Sequence, residues 1–315
     1  MSGLFNSFYY GKAGKADFTP EQLPKNRVQL FFSMLRVRFS GLIGLNLLYL
    51  LFSLPAIAWT FINYMAIMSA NGIDPETGER LAVEAAAMGS TSTYIFQWLL
   101  GMIPCLMISS IGRMGLAYTL RNWARDDHSF VMSDIRDAIK GNWKQALFFG
   151  FISGFSLFVG YVCYMYYSSM AVSNMFWLVP QALVVIFVVI WWMATMLLYP
   201  MTVTYDMKLR ALIQNSFIMV LARLPFSVLF WALPTLIPLL VVFFIPSTIP
   251  MLVVALYYIL IGYALYQFMT VSYANSCFDR FLNPRIEGAD VGKGLRDPSY
   301  NEEDETVTDE DIKNL

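Results

Sequence analysis

Arg113 lies within an apolar run, in ISSIGRMGLAYTL (108–120). A guanidinium in hydrocarbon costs roughly 3 kcal/mol or more unless it pairs or reaches headgroups. Two chemistries follow. Turned inward, Arg113 would hold an anion or a carboxylate. Turned along its helix, it would snorkel toward the headgroups near Arg121, about two turns on. A Met-x-x-x-Tyr spacing recurs near the ends of three apolar runs, as Met114/Tyr118, Met201/Tyr205 and Met269/Tyr273. Arg113, Tyr118, Tyr205 and Tyr273 therefore form the candidate substrate-binding set: a cation with aromatic faces that could stack on a sugar. Aromatics at span ends serve more commonly as interfacial anchors. Asn46, Asn63, Gln97, Gln181 and Gln267 lie in or near apolar runs. They would line a polar cavity or hydrogen-bond neighbouring helices.

Other chemistry is poorly represented. His128, in RDDHS (125–129), is the single histidine, and its neighbours suit a solvated turn before Ser133, which reads as a helix N-cap. Neither metal binding nor catalysis is expected there. Cys105, Cys163 and Cys277 sit in apolar runs as packing residues, not as a disulfide framework. The chain has no GxxxxGK[ST] loop, no HExxH and no GxSxG. Glu84-Ala85-Ala86 resembles the loop by which permeases dock an ATPase, but its glycine offset is wrong and its loop is expected outside. No enzyme activity, cofactor or metal is expected, and the basic connectors lack the setting of a nucleic-acid module.

The elements that must position these residues are membrane spans. Of 315 residues, 57% are hydrophobic and 14% charged, well below the quarter usual in soluble domains. Six apolar runs are long enough to cross a bilayer: 41–68, 94–120, 148–167, 176–203, 224–244 and 251–278. Pro55, Pro104, Pro200, Pro234 and Pro238 fall in them and predict kinks or breaks. Residues 26–39 mix Arg27, Arg36 and Arg38 with apolar residues and predict an interfacial helix.

With six spans, 19 of the 21 basic residues fall on one side, Arg80 and Arg113 being the other two. Both termini are then cytoplasmic. Residues 1–25 form a cytoplasmic tail, 26–284 the membrane domain, and 285–315 a cytoplasmic, largely disordered acidic tail. IRDAIKGNW (135–143) and LRALIQNSF (209–217) are alike and follow two of the Met-x-x-x-Tyr sites. The expected fold is an all-α integral membrane protein, six transmembrane helices arranged as three hairpins with cytoplasmic amphipathic connectors.

LNLLYLLFSLPAI (45–57), YTLRNWARDDHSFVMSDIRDAIKGNWKQAL (118–147), KLRALIQNSF (208–217) and YQFMTVSYANSCFDRFLNP (266–284) resemble the YesL family, a group of bacterial membrane proteins whose domain has no assigned function. The resemblance covers most of residues 26–284. It implies a multi-pass protein of the bacterial cell membrane, of a kind often encoded beside carbohydrate uptake systems. It brings no catalytic motif, so no functional residue is carried over. The expectation is a non-enzymatic accessory component of carbohydrate uptake, with the lipid bilayer and transporter subunits as partners and no nucleic acid. The alternative is a permease or channel for a small solute, which the intramembrane Arg113 and the proline-broken spans would suit.

Overall fold

The computed structural model describes residues 23–70, 91–245 and 248–296. Most of the N-terminal tail, nearly all of the loop with Glu84, part of the 246–250 turn and the acidic stretch 301–315 lie outside the described residues. All helices belong to one bundle. They are α1 (Arg27–Val37), α2 (Phe39–Ala70), α3 (Thr91–Trp123), α4 (Val131–Ala171), α5 (Leu178–Thr202), α6 (Leu209–Ala222), α7 (Leu224–Phe244), α8 (Thr248–Tyr257) and α9 (Tyr263–Phe281). A 3-10 turn (Met175–Trp177) precedes α5, a π turn (Tyr258–Gly262) joins α8 to α9, and a second 3-10 turn (Asn283–Arg285) follows α9.

Among the described residues, five helices are long and apolar enough to cross a membrane, α8 to α9 counting as one. A sixth is reached if α6 and α7, which meet at 96°, are taken as one broken span. The hydrogen-bond ladder runs on through Pro55 in α2 and Pro104 in α3, so neither proline ends its helix. Each removes a single donor from a helix of more than 30 residues, too little to end it where no water competes for the backbone.

The connector after α3 is also not a separate helix. α4 runs unbroken for 41 residues, about 60 Å, because no proline interrupts it. It starts at Val131, with Phe130 at the N-cap, so Ser133 lies inside the first turn and its hydroxyl faces Asp137. The cap predicted at Ser133 is displaced by three residues.

Helix α3 is the shared wall of two cores. Met114 and Ala117 join α4, α5, α6 and the end of α9 around Met196, Leu197 and Phe149. Leu116, Leu120 and Trp123 join α1, α2 and the start of α9 around Leu45 and Phe268. The most extensive interface is α3 with α4, which crosses from the first expected hairpin to the second. Two glycines one turn apart permit it. A Cβ on Gly150 would stand 2.6 Å from the Met107 Cα, and one on Gly154 2.7 Å from the Ile103 Cα. Small residues at such spacing let helix backbones approach closely. Both cores crowd toward the end of the bundle where α1, the α3–α4 turn, α6 and the end of α9 gather. Toward the opposite end, side chains of α4, α5, α7 and α8 face mostly outward.

Candidate functional site

Arg113, on α3, is held from two other helices. Its guanidinium lies over the Tyr199 ring of α5, 4.5 Å from the centroid, and Nη1 donates to the Thr195 hydroxyl at 3.3 Å. Thr195 is oriented in turn by donating to the Trp192 carbonyl at 2.7 Å. From α9, the Gln267 amide donates to the Arg113 carbonyl at 2.7 Å. Arg113 forms no salt bridge among the described residues. A cation–π contact over a buried ring is worth up to ~2 kcal/mol, so Tyr199 offsets part of the cost of this half-buried charge.

The three site tyrosines do not converge on Arg113. Tyr118 lies under the guanidinium of Arg121, at 4.8 Å. Tyr273 shares a 2.8 Å hydrogen bond with Ser227, stacks on Phe230 at 4.7 Å and faces Arg223 at 5.4 Å. Arg223 sits at the α6–α7 bend and also donates to Ser276 at 3.1 Å. Tyr205, just beyond α5, donates its phenol proton to Asn283. Burial pushes the Tyr205 hydroxyl up to about 12, so it is a neutral donor at ordinary pH. Tyr205 and Tyr273 therefore tie separate elements together, while Tyr118 meets an arginine of its own helix, and the three do not share one pocket.

Of the four predicted residues, Tyr205 alone lines a polar pocket. This pocket, about 240 Å³, lies between α4, the α5–α6 linker and α6. Asn142, Gln145, Thr202, Thr204 and Asp206 complete its polar wall. Such a set can hydrogen-bond a small polar solute. It lies at the crowded end of the bundle, away from mid-span.

Beside it, an ionic knot was not legible in the sequence. Arg27 donates to Asp279 through Nη2 at 2.6 Å and Nε at 3.1 Å, and to the carbonyls of Ala124 and Lys293 at 3.1 and 2.9 Å. The other Asp279 oxygen accepts from Asn283 at 2.8 Å and from the Gly292 N–H at 3.3 Å. Lys293 pairs with Asp127 at 2.8 Å. Residues 285–296, expected to open the disordered tail, fold back here, with the Arg296 N–H on the Pro24 carbonyl. Gly294 takes a φ of 83° against the Arg125 carbonyl, where a Cβ would stand at 2.6 Å.

Asn46 is bound to the π turn. Its amide nitrogen donates to the carbonyls of Tyr258 and Ile259, and its oxygen accepts from Ala264. Asn63 donates to the Trp59 carbonyl of its own helix. His128 is exposed and edges Phe130 at a turn.

Compared with protein-family models, with curated proteins and with solved structures, the chain matches none of them.

Proposed function

We propose that this chain is a non-enzymatic, YesL-like protein of the bacterial cell membrane that serves carbohydrate uptake as an accessory component of a transporter. The observation that carries the reading against a permease is the state of the intramembrane polar groups. Arg113 is taken up by Tyr199, Thr195 and Gln267, and Asn46 by the π turn. Each is engaged by neighbouring helices of the bundle, as expected of groups that join helices. The larger grooves are apolar and open on the outer surface. The ionic knot and the polar pocket lie together at the basic end, where they offer a partner a polar surface. The link to carbohydrate uptake rests on the family resemblance.

The same reading takes six spans with both termini cytoplasmic. Its support is that α1, the α3–α4 turn and the segment after α9 meet at one end of the bundle, together with the one-sided basic residues. The 96° bend before α7 suits a helix α6 lying along the membrane surface before the fifth span.

The deciding experiment is purification of the tagged protein from its native membrane after mild cross-linking. Enrichment of permease, ATPase or solute-binding subunits over other abundant membrane proteins is expected. Recovery of the protein alone, with solute flux in liposomes that Arg113→Ala abolishes, would replace this reading with the permease. Single cysteines at positions 136 and 79 should label from inside and outside respectively; the reverse pattern would sink the six-span topology.

A further inference from the structure

An apolar groove of about 680 Å³ runs along the first turns of α2, lined by Gly44, Leu45, Leu48 and Leu51, with Val131 and Met132 of α4 as its other wall. Two glycines shape it. A Cβ on Gly41 would stand 2.8 Å from Cη2 of Trp123, so the indole seats where a side chain would be. A Cβ on Gly44 would meet nothing within 4 Å, so the groove is open there. From Gly41 to Leu51 the helix rises about 15 Å, the depth of one leaflet of a hydrocarbon core about 30 Å thick.

Arg38 lies just before the groove, outside its lining residues. It lies one turn before Gly41, and its guanidinium carbon is 5.7 Å from the Trp123 ring centroid. Its Nε is buried without a hydrogen-bond partner. Arg38 forms no salt bridge among the described residues. Asp126, on the α3–α4 turn, is the carboxylate whose charge it faces, without pairing. Phe130 and Met132, each 70% exposed, stand beside the same groove. A cation with a buried, unpartnered Nε and no direct salt bridge, one turn from a leaflet-deep apolar groove, matches a molecule with an anionic head and an apolar chain.

We propose that this groove holds an acyl chain of an anionic phospholipid whose phosphate is bound by Arg38. The phosphate supplies the direct ion pair that Asp126 does not make, through charge-assisted hydrogen bonds from the guanidinium. The chain covers an apolar strip that α1 and α4 leave open.

Native mass spectrometry of the full chain, titrated with dioleoylphosphatidylglycerol or dioleoylphosphatidylcholine, tests this. The two lipids share their chains and differ in net charge. The phosphatidylglycerol should bind about tenfold more tightly. Arg38→Gln should bring it to the level of phosphatidylcholine, and Gly44→Leu should weaken both by filling the groove. Lys140→Gln, which changes an exposed cation elsewhere on α4, should leave the preference intact.

An unchanged preference in Arg38→Gln overturns the proposal, as does unchanged binding in Gly44→Leu. A second copy of the chain that Gly44→Leu displaces would assign the groove to self-association and overturn it equally. If Arg38→Gln does not fold, Gly44→Leu carries the test alone, since its added side chain enters open space.

Discussion

Replacing Asn46 by leucine should destabilise the bundle by about 2–3 kcal/mol. Asn46 is fully buried. Its side chain donates to the Tyr258 carbonyl at 2.9 Å and the Ile259 carbonyl at 2.7 Å, and accepts from the Ala264 N–H at 2.9 Å. The π turn displaces the regular helical ladder at this point, so groups that would bond along the helix turn to α2 instead. At about 1 kcal/mol per net hydrogen bond the loss is about 3 kcal/mol; at the average of ~0.6 found within membranes it is nearer 2. Leucine keeps the branch at Cγ but is bulkier than the amide, so crowding against the π turn adds to the loss. Equilibrium unfolding in mixed micelles of rising dodecyl sulfate content, followed by far-ultraviolet circular dichroism, gives the global value. Hydrogen exchange of residues 258–264 gives the local one. Asn46→Asp keeps the shape and an acceptor but sets a carboxylate against two carbonyls, and should be at least as damaging. A leucine variant within about 0.5 kcal/mol of wild type, with unchanged exchange, would refute the claim that Asn46 satisfies the π turn. So would an aspartate variant milder than leucine.

Gly150→Val should cost about 3 kcal/mol or more, because the Met107 Cα and the Leu106 carbonyl that a Cβ would strike are backbone atoms. A loss of the monodisperse species in gel filtration would show it, while Gly141→Ala, which meets nothing within 4 Å, should stabilise by roughly 0.5–1 kcal/mol. Asp126 has a φ of 55° and closes α3 by the Asp127 N–H bond to the Asn122 carbonyl, so Asp126→Gly should raise stability by about 1 kcal/mol in the same micelle titration. Tyr205 is held protonated by burial, from an ordinary 10.0 up to about 12. The stability it contributes is therefore full below pH 10 and lost as pH rises toward 12. Tyr205→Phe should cost about 1 kcal/mol at neutral pH and flatten that alkaline limb of a stability–pH series; an unchanged limb would remove Tyr205 as its cause.

The long apolar helices were legible because the apolar run is itself the signal: the first was expected at residues 41–68 and α2 occupies Phe39–Ala70. The proline breaks were overread. Pro55 and Pro104 carry the intrinsic cost of a missing donor, but within hydrocarbon a helix has no better alternative than to continue. The connector helix merged with the third span because composition changes at Phe148 while the backbone ladder does not. In the candidate site, Met-x-x-x-Tyr singled out three tyrosines, of which Tyr205 and Tyr273 bond across elements and Tyr118 meets Arg121 of its own helix. It could not show that they lie apart, because spacing within a helix says nothing of which neighbour the helix meets. The Arg27–Asp279 pair joins residues 252 positions apart, with nothing local to announce either partner. Gly150 and Gly154 did carry a usable signal, a four-residue spacing of small residues in a span, of the kind that brings helices together.

Arg113 shows how a single residue can be read correctly in kind and incompletely in geometry. Its cost in an apolar run required a partner, and the two partners considered were an anion in a cavity and the headgroups. The fold supplies a third, the face of Tyr199 on the most deeply buried stretch of α5. An aromatic face attracts the cation without adding a second charge that would also need desolvation. An aspartate in place of Tyr199 would bring that cost. The arrangement also fixes the register of three elements: α5 holds the guanidinium, α9 holds the carbonyl of the same residue through Gln267, and α3 carries both. A charge placed in this way works as a positioning device for helices whose apolar surfaces would otherwise slide on one another. It ties the tight end of the bundle together while the opposite half of α4, α5, α7 and α8 stays free to meet lipid or a partner's helices.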